Sequence, residues 1–487
     1  MRVSMISANR TRQPVPVIPF GACLVAQSAR RAGHEVDFLD LMFHKDPVAA
    51  LTSHLARSKP DVVGLSIRNI DTNDVRSPLT LIDEAAELAQ AIRGHSRAPI
   101  VLGGAALGVM PRQILQRTGA PWAVLSDGET VFPKLLDALS RGQNPADIDG
   151  VMGLHDTGGT PKPPTAHPLT EGAVEDFARW VDVRRYLSRM AAVPVQTKRG
   201  CPFDCVYCTY TMAEGRTYRL QSPQSVAATV GRYAAKGLRD IEFVDNVFNS
   251  PYEHALAICR ALATERLPVR LQSLELNPRF LDDALLSAME QAGFVGIGVT
   301  VESASDPVLA SLRKGYGAAD VHRATEVVSR HRIPCIWIFM MGGPGETPDT
   351  VRETIEFAAS KLRPADTAFF QIGVRLYPGT ALERQARDQG VLNRPPDEML
   401  SPVFYLSPEV PLDWLKAQLA DAAKAHLNFV AGDVLGLPLL QTVMGLSYRL
   451  GLRPPLWRYT PAVRRVLHWL RLYRPDGPTV SLSGART

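Results

Sequence analysis

The chain has 487 residues, 45% hydrophobic and 21% charged, about three times a typical 150-residue domain and near the globular average in composition. That excludes a small binding module, a wholly disordered chain and a polytopic membrane protein. Its 54 basic against 49 acidic residues leave +5, too mild a surplus to imply a nucleic-acid partner.

The N-terminus, MRVSMISANRTRQP, lacks the basic, apolar and small-residue regions of a secretory signal, and the protein is read as cytoplasmic. Over residues 1–150, β-branched apolar runs alternate with helical patterns: RVSMIS, a helix near 22–32, VDFLDL, a helix near 48–58, DVVGLSI, a helix near 79–93, then PIVLGG. This α/β alternation predicts a doubly wound parallel sheet of Rossmann or flavodoxin-like type. Such sheets bind ligands at the carboxyl ends of their strands, which places Ser66, Arg68, Asn69, Gly103, Gly104, Gly128 and Glu129 along one edge. Residues 151–192, with DTGGTPKPPTAHP, read as a linker.

From Val193 to about residue 392 a second alternation gives six strand-helix repeats, the pattern of a partial β/α barrel with its chemistry at the strand carboxyl ends. Gln272, Glu275, Gln371 and Arg375 fall at such ends and are expected to line a pocket. Residues 393–487 read as a small, mainly helical third unit. Val434 to Tyr448 is uncharged but short and contains Pro438, so it predicts a buried or interfacial helix rather than a membrane span. From Val434 to Pro475 there are seven arginines and no Asp or Glu, interleaved with Trp457, Tyr459, Trp469 and Tyr473. This segment has two readings: a helical cap closing the barrel over substrate, or a surface for an anionic membrane or for an acidic or carrier-protein-bound substrate.

Three of the six cysteines, Cys201, Cys205 and Cys208, form C-x3-C-x2-C in the loop after the first barrel strand. Clustering of this kind suits metal ligation in a reducing compartment. A ferredoxin-type site needs a fourth cysteine, and the next, Cys259, lies inside a later predicted helix. The economical reading is a 4Fe-4S cluster with three protein ligands and one open iron, hence a catalytic centre. A zinc site with a distant fourth ligand and three incidental buried cysteines are the alternatives. Cys23, Cys259 and Cys335 read as ordinary buried cysteines.

With this motif the barrel resembles the radical S-adenosylmethionine (SAM) superfamily, in which the open iron chelates SAM and the cluster reduces it to methionine and a 5′-deoxyadenosyl radical. The resemblance implies SAM contacts from Tyr207, from Asp245 and Asn246 after the second strand, from Glu302 and Ser303 after the fourth, and from Gly342, Gly343 and Gly345 in MMGGPGET. Thr347 and Asp349 also work as a helix start, and Arg219 could bind a carboxylate. The doubly wound domain joined to such a barrel resembles the cobalamin-binding-domain radical SAM enzymes over roughly residues 1–390. Cobalamin is then expected against Ser66, Arg68, Asn69, Gly103, Gly104, Gly128 and Glu129. The D-x-H-x-x-G signature is absent, since His44 follows Asp40 by four residues and not two. That implies cobalamin without a histidine ligand from the protein, with Arg68 and Asn69 toward its lower face.

The subclass implies methyl transfer to an unactivated carbon of a small-molecule substrate, through methylcobalamin and the 5′-deoxyadenosyl radical, in secondary metabolism such as antibiotic biosynthesis. An electron donor such as flavodoxin or ferredoxin is implied, and no nucleic acid. Cyclisation or oxidative rearrangement, as in tetrapyrrole cyclases, is the alternative chemistry. The intact cysteine triad speaks against a non-catalytic subunit.

Overall fold

The computed structural model describes residues 1–125, 127–156, 169, 172–431 and 440–469. Its N-terminal strands are β1 (Arg2–Ser7), β2 (Glu35–Asp40), β3 (Val62–Ser66), β4 (Ile100–Gly103), β5 (Trp122–Val124) and β6 (Val151–Gly153), with helices α1 (Phe20–Arg31), α2 (Pro47–Ser58), α3 (Ile82–His95), α4 (Pro111–Thr118) and α5 (Gly128–Ser140) between them. The sheet order is β2-β1-β3-β4-β5-β6, parallel except for β6. The order reverses between β1 and β3, and a crevice opens at their carboxyl ends. Local signals start the helices where expected. Asp46 caps α2 by accepting from the Ala49 amide with Pro47 in the first turn, and Pro111 opens α4.

Two features differ from the sequence reading. Strand β6 lies past the expected boundary at residue 150 and closes the first sheet. The expected linker is also packed: Phe177, Trp180 and Tyr186 are buried against Phe20, Phe38 and Phe43, and α6 (Val183–Leu187) carries the Tyr186 hydroxyl that donates to Asp40 at 2.7 Å. The Pro/Gly/Thr-rich break itself lies almost wholly outside the described residues.

The second body begins with β7 (Val193–Val195), then the hairpin β8 (Lys198–Arg199) and β9 (Arg219–Leu220) with α7 (Tyr210–Glu214) in its loop. There follow α8 (Pro223–Ala235), β10 (Asp240–Phe243), α9 (Tyr252–Glu265), β11 (Arg270–Leu276), α10 (Asp283–Ala292), β12 (Phe294–Glu302), α11 (Asp306–Ser311), α12 (Ala318–Ser329), β13 (Cys335–Met341), α13 (Pro348–Lys361) and β14 (Thr367–Ile372). The chain ends in β15 (Val374–Arg375), α14 (Ala381–Asp388), β16 (Phe404–Tyr405), α15 (Leu412–Ala425), β17 (Phe429–Ala431), α16 (Leu440–Arg449) and α17 (Thr460–Trp469). The sheet order β17-β14-β13-β12-β11-β10-β7 is parallel throughout and open between its ends, a partial barrel. Its six expected strands are present. The seventh, β17, comes from residues assigned to the helical unit, because β14 offers it an unpaired edge.

Among the described residues, the basic C-terminal segment does not cap the strand carboxyl ends. A Cβ on Gly296, near the start of β12, would lie 2.7 Å from the Pro455 ring and 2.9 Å from Trp457. The Thr367 hydroxyl at the start of β14 donates to the Trp457 carbonyl at 3.1 Å. The turn through Trp457 therefore sits at the amino end of the barrel, opposite the chemistry.

Candidate functional site: a cysteine loop facing the carboxyl edge of the N-terminal sheet

The cysteine loop hangs from the β8–β9 hairpin, in which Lys198 pairs with Leu220 and Arg199 with Arg219. Gly200 turns the chain with φ +86°, and a Cβ there would lie 2.1 Å from the Thr217 carbonyl oxygen; only glycine fits. The Cys201 amide donates to Gly215 at 3.1 Å and the Cys208 amide to Cys205 at 3.2 Å. Cys201 is buried and Cys205 and Cys208 half-buried, all three as free thiols. Burial pushes Cys201 up and Cys208 up to about 11, with the Lys314 ammonium pulling both down. Among the described residues no three His, Cys, Asp or Glu side chains converge as ligands of a single ion would. Three thiols on one short loop suit an iron-sulfur cluster with three protein ligands.

Beside the loop, Glu302 ends β12 in the left-handed region at φ +64°, a strain of order 1–2 kcal/mol that the surroundings must hold. Its carboxylate accepts from the Tyr207 hydroxyl at 2.6 Å and from Lys314 at 3.1 Å, and Lys314 also donates to Tyr207 at 3.0 Å. Burial alone would lower Lys314, but Glu302, Tyr207 and Tyr316 outweigh it and keep the ammonium charged. Lys314 is the site residue that the sequence hid. It lies between two helices with no motif around it, and only the fold brings it to Glu302.

The other expected SAM residues divide. Both Asp245 oxygens are taken, by the Thr197 amide at 2.7 Å, the Thr197 hydroxyl at 2.6 Å and Lys198, so Asp245 braces the end of β7. Asn246 holds Glu214 at 2.7 Å, which in turn accepts from the Gly200 amide at 3.1 Å. The Ser303 hydroxyl faces Thr354 at 3.1 Å and accepts from the Ser305 amide, away from the loop. Gly342 and Gly345 answer to the protein's own atoms: added Cβ atoms would lie 2.5 Å from Leu406 and 2.5 Å from the Ser311 hydroxyl. Gly343 is buried, its amide donates to Glu346, and an added Cβ would make ordinary contact with Leu312 at 3.7 Å and Val374 at 3.9 Å.

On the N-terminal side, a Cβ on Gly103 meets nothing within 4 Å, whereas one on Gly104 would strike the Ile67 backbone at 2.3 Å and one on Gly128 would meet Val25 at 2.8 Å. Glu129 reaches across to Arg199, and Asp127 pairs with Arg199 at 2.8 Å and with Arg219. Arg219 thus binds a carboxylate, and it is a carboxylate of the other domain. Arg375 does likewise, donating to Asp71 at 2.7 Å. Arg68 is exposed and hydrogen-bonds Asn69 at 3.1 Å, yet burial pulls it down while Tyr210 and Glu242 pull it up. Tyr210 is 48% exposed and still strongly raised by burial. Arg68 at the N-terminal sheet edge thus lies close enough to Tyr210 and Glu242 of the barrel for their charges to act on it. Burial raises Glu275 to about 8, with Glu302 and Glu242 adding to it, so it belongs to the same group of side chains. The described surface pocket of about 390 Å³ at Asp40, His44 and Arg185 is a different place.

Residues 8–136 match the family model of the B12 binding domain and residues 195–358 that of the radical SAM superfamily. The chain belongs to the radical SAM proteins with an N-terminal cobalamin-binding domain. It is 26% identical over 371 residues to an uncharacterized methyltransferase of Pyrococcus horikoshii, covering 75% of this chain and 77% of that one. It is 23% identical over 451 residues to a tryptophan 2-C-methyltransferase of Streptomyces laurentii, covering 80% and 74%. The fold matches the radical S-adenosylmethionine methyltransferase TsrM of Kitasatospora setae, solved with cobalamin and a 4Fe-4S cluster, at a TM-score of 0.83 and 23% identity over 96% of this chain and 99% of that one. For a cobalamin-binding radical SAM protein, the facing of the cysteine loop and the open Gly103–Arg68 edge is the arrangement its two cofactors require.

Proposed function

We propose that this protein is a cobalamin-dependent radical SAM methyltransferase acting on an unactivated carbon of a small molecule in secondary metabolism. The observation that carries the reading is the nearness of Arg68, on the N-terminal sheet edge, to Tyr210 and Glu242 of the barrel, beside the cysteine loop whose Tyr207 donates to Glu302. Bound there, the cluster with SAM supplies one-electron cleavage to an organic radical, and cobalamin supplies a methyl carrier that SAM alone cannot replace at a carbon without a lone pair.

Cys201, Cys205 and Cys208 would hold the cluster, and the charged Lys314 opposes the burial that raises Cys201 and Cys208. Tyr207, Glu302, Asn246 and the backbone at Gly343 would receive SAM. Ser66, Arg68, Asn69 and Gly103 receive the corrin. Arg68 would place a permanent cation beside the corrin, and a guanidinium cannot coordinate cobalt. Asp245, Ser303, Gly342, Gly345, Gly104, Gly128 and Glu129 act one step removed, by bracing the elements that carry these contacts. Enclosure excludes water from a radical, and Glu242, Gln272 and Glu275 face the substrate.

Six free cysteines fit a reducing compartment, and we place the protein in the cytoplasm with flavodoxin or ferredoxin as electron donor. No described helix is long and apolar enough to cross a membrane. The basic C-terminal segment is read as a contact surface for anionic lipid. In support, Val443 and Leu446 on α16, Leu450 just after it, and Val463, Val466 and Trp469 on α17 are exposed, with no acidic residue in either helix.

The deciding experiment is anaerobic purification from cells supplied with cobalamin, with iron, sulfide and corrin measured per chain. Near four irons and one corrin are expected, with methylated product as the assay that follows. Four irons without corrin would leave the radical chemistry and overturn the methyltransferase reading.

A further inference from the structure

Asp127 and Glu129, at the start of α5, do something that a helix terminus does not ask for. Asp46, Asp182 and Asp282 stand at N-caps and each accepts from an amide of its own helix, a contact worth about 1 kcal/mol. Asp127 holds the same position on α5 and makes no such contact. Its oxygens accept from Arg199 at 2.8 Å and from Arg219, and Glu129 accepts from Arg199. Arg199 and Arg219 stand directly opposite each other across the β8–β9 hairpin, where like charges repel. The hairpin that carries the cysteine loop is thus closed by carboxylates from the other domain.

The side chains of this network are between 7% and 11% exposed. Buried ions gain little or nothing over apolar contacts in net stability. What they add is direction, since charge-assisted hydrogen bonds to a planar guanidinium are satisfied in one geometry. A second buried pair, Asp71 with Arg375 at 2.7 Å and 1% and 2% exposed, also joins the two bodies. Gly108 lets α7 approach the sheet edge so closely that a Cβ there would lie 2.7 Å from the Ala213 Cβ.

We propose that Asp127 and Glu129 are positioning residues that seat the cysteine-bearing hairpin on the N-terminal domain and so fix the separation between the two cofactor sites. The consequence for methyl transfer rests on the function proposed above; the seating itself does not.

The test is a distance. In full-length protein, Arg57 on α2 and Arg260 on α9, both exposed, are replaced by ketone-bearing residues carrying nitroxides, which leaves every cysteine untouched, and pulsed dipolar spectroscopy gives the interdomain distance distribution. Asp127→Asn is expected to broaden the distribution about twofold with little change in helix content, and Glu129→Gln to broaden it less. The reciprocal double variant Asp127→Arg with Arg219→Asp is expected to restore the narrow distribution, since the new carboxylate lies opposite Arg199. An unchanged distribution in Asp127→Asn, or no narrowing in the double variant, overturns the proposal. Where Asp127→Asn does not fold, the double variant decides alone. Corrin and iron are measured on the same samples, so a wild-type protein without corrin would fail the cofactor reading while the distances still judge the seating.

Discussion

At Glu346 the carboxyl group is fully buried behind the MMGGPGET turn. One oxygen accepts from the Gly342 and Gly343 amides, and the other has no partner. Burial lifts the group from its ordinary 4.5 to about 7, the two amides pulling the other way. A carboxyl raised in the folded state binds more protons folded than unfolded between about pH 4.5 and 7, so stability falls as pH rises through that window and stays reduced above it. Glu346→Gln keeps an acceptor for the amides and removes the charge. Denaturant midpoints measured from pH 4 to 8 should lose their decline across the window, and the variant should gain up to about 3 kcal/mol at pH 8; an unchanged decline would assign it to other groups. The neighbouring residues show what was legible. Thr347 does start α13, accepting from the Thr350 amide at 3.3 Å, because a cap is made within four residues. Glu346 and Lys314 were not legible, because their partners are chosen by how strands and loops meet.

The cysteine hairpin shows the same division at the scale of an element. The spacing of Cys201, Cys205 and Cys208 could be read directly, since one loop must wrap one cluster. The turn that makes the loop possible could not, because Gly200 and Gly215 look alike in sequence and share φ +86°. Around Gly215 there is open space, whereas Gly200 is pressed against Thr217. Gly215→Ala should cost about 1 kcal/mol for its backbone conformation alone, and Gly200→Ala about 2–4 kcal/mol because the carbonyl must also move. Iron bound after anaerobic reconstitution should fall sharply in Gly200→Ala and little in Gly215→Ala. Equal losses in the two variants would mean that the clash plays no part. Strands followed a similar rule. The six barrel strands were visible as apolar runs, while β6 and β17, three residues each, have too few residues to show a period and exist because a neighbouring strand offers them an edge.

Considered as a whole, the molecule exposes apolar side chains unevenly. Six of the ten large hydrophobics exposed among the described residues lie between Val443 and Trp469, in the stretch that carries arginine and no acid. Full-length protein should co-sediment with vesicles containing phosphatidylglycerol more than with neutral vesicles, and a chain ending at Leu452 should lose the difference. Binding that persists in the truncated chain would remove the lipid reading, and capture of an acidic carrier protein by the full chain alone would replace it. By itself the sequence determined the three-thiol cluster site, the doubly wound domain and the partial barrel, because thiol spacing, strand-helix alternation and helix caps are local properties of short segments. Only the tertiary structure decided that the C-terminal turn closes the amino end of the barrel, that Glu302 is held by Lys314, and that Glu129 and Arg219 face each other's domains instead of a ligand. The interdomain ion pairs join residues 72 and 304 positions apart, as in Arg199 with Asp127 and Arg375 with Asp71, and a charge that far away in the chain finds its partner only when two packed bodies bring their strand ends together.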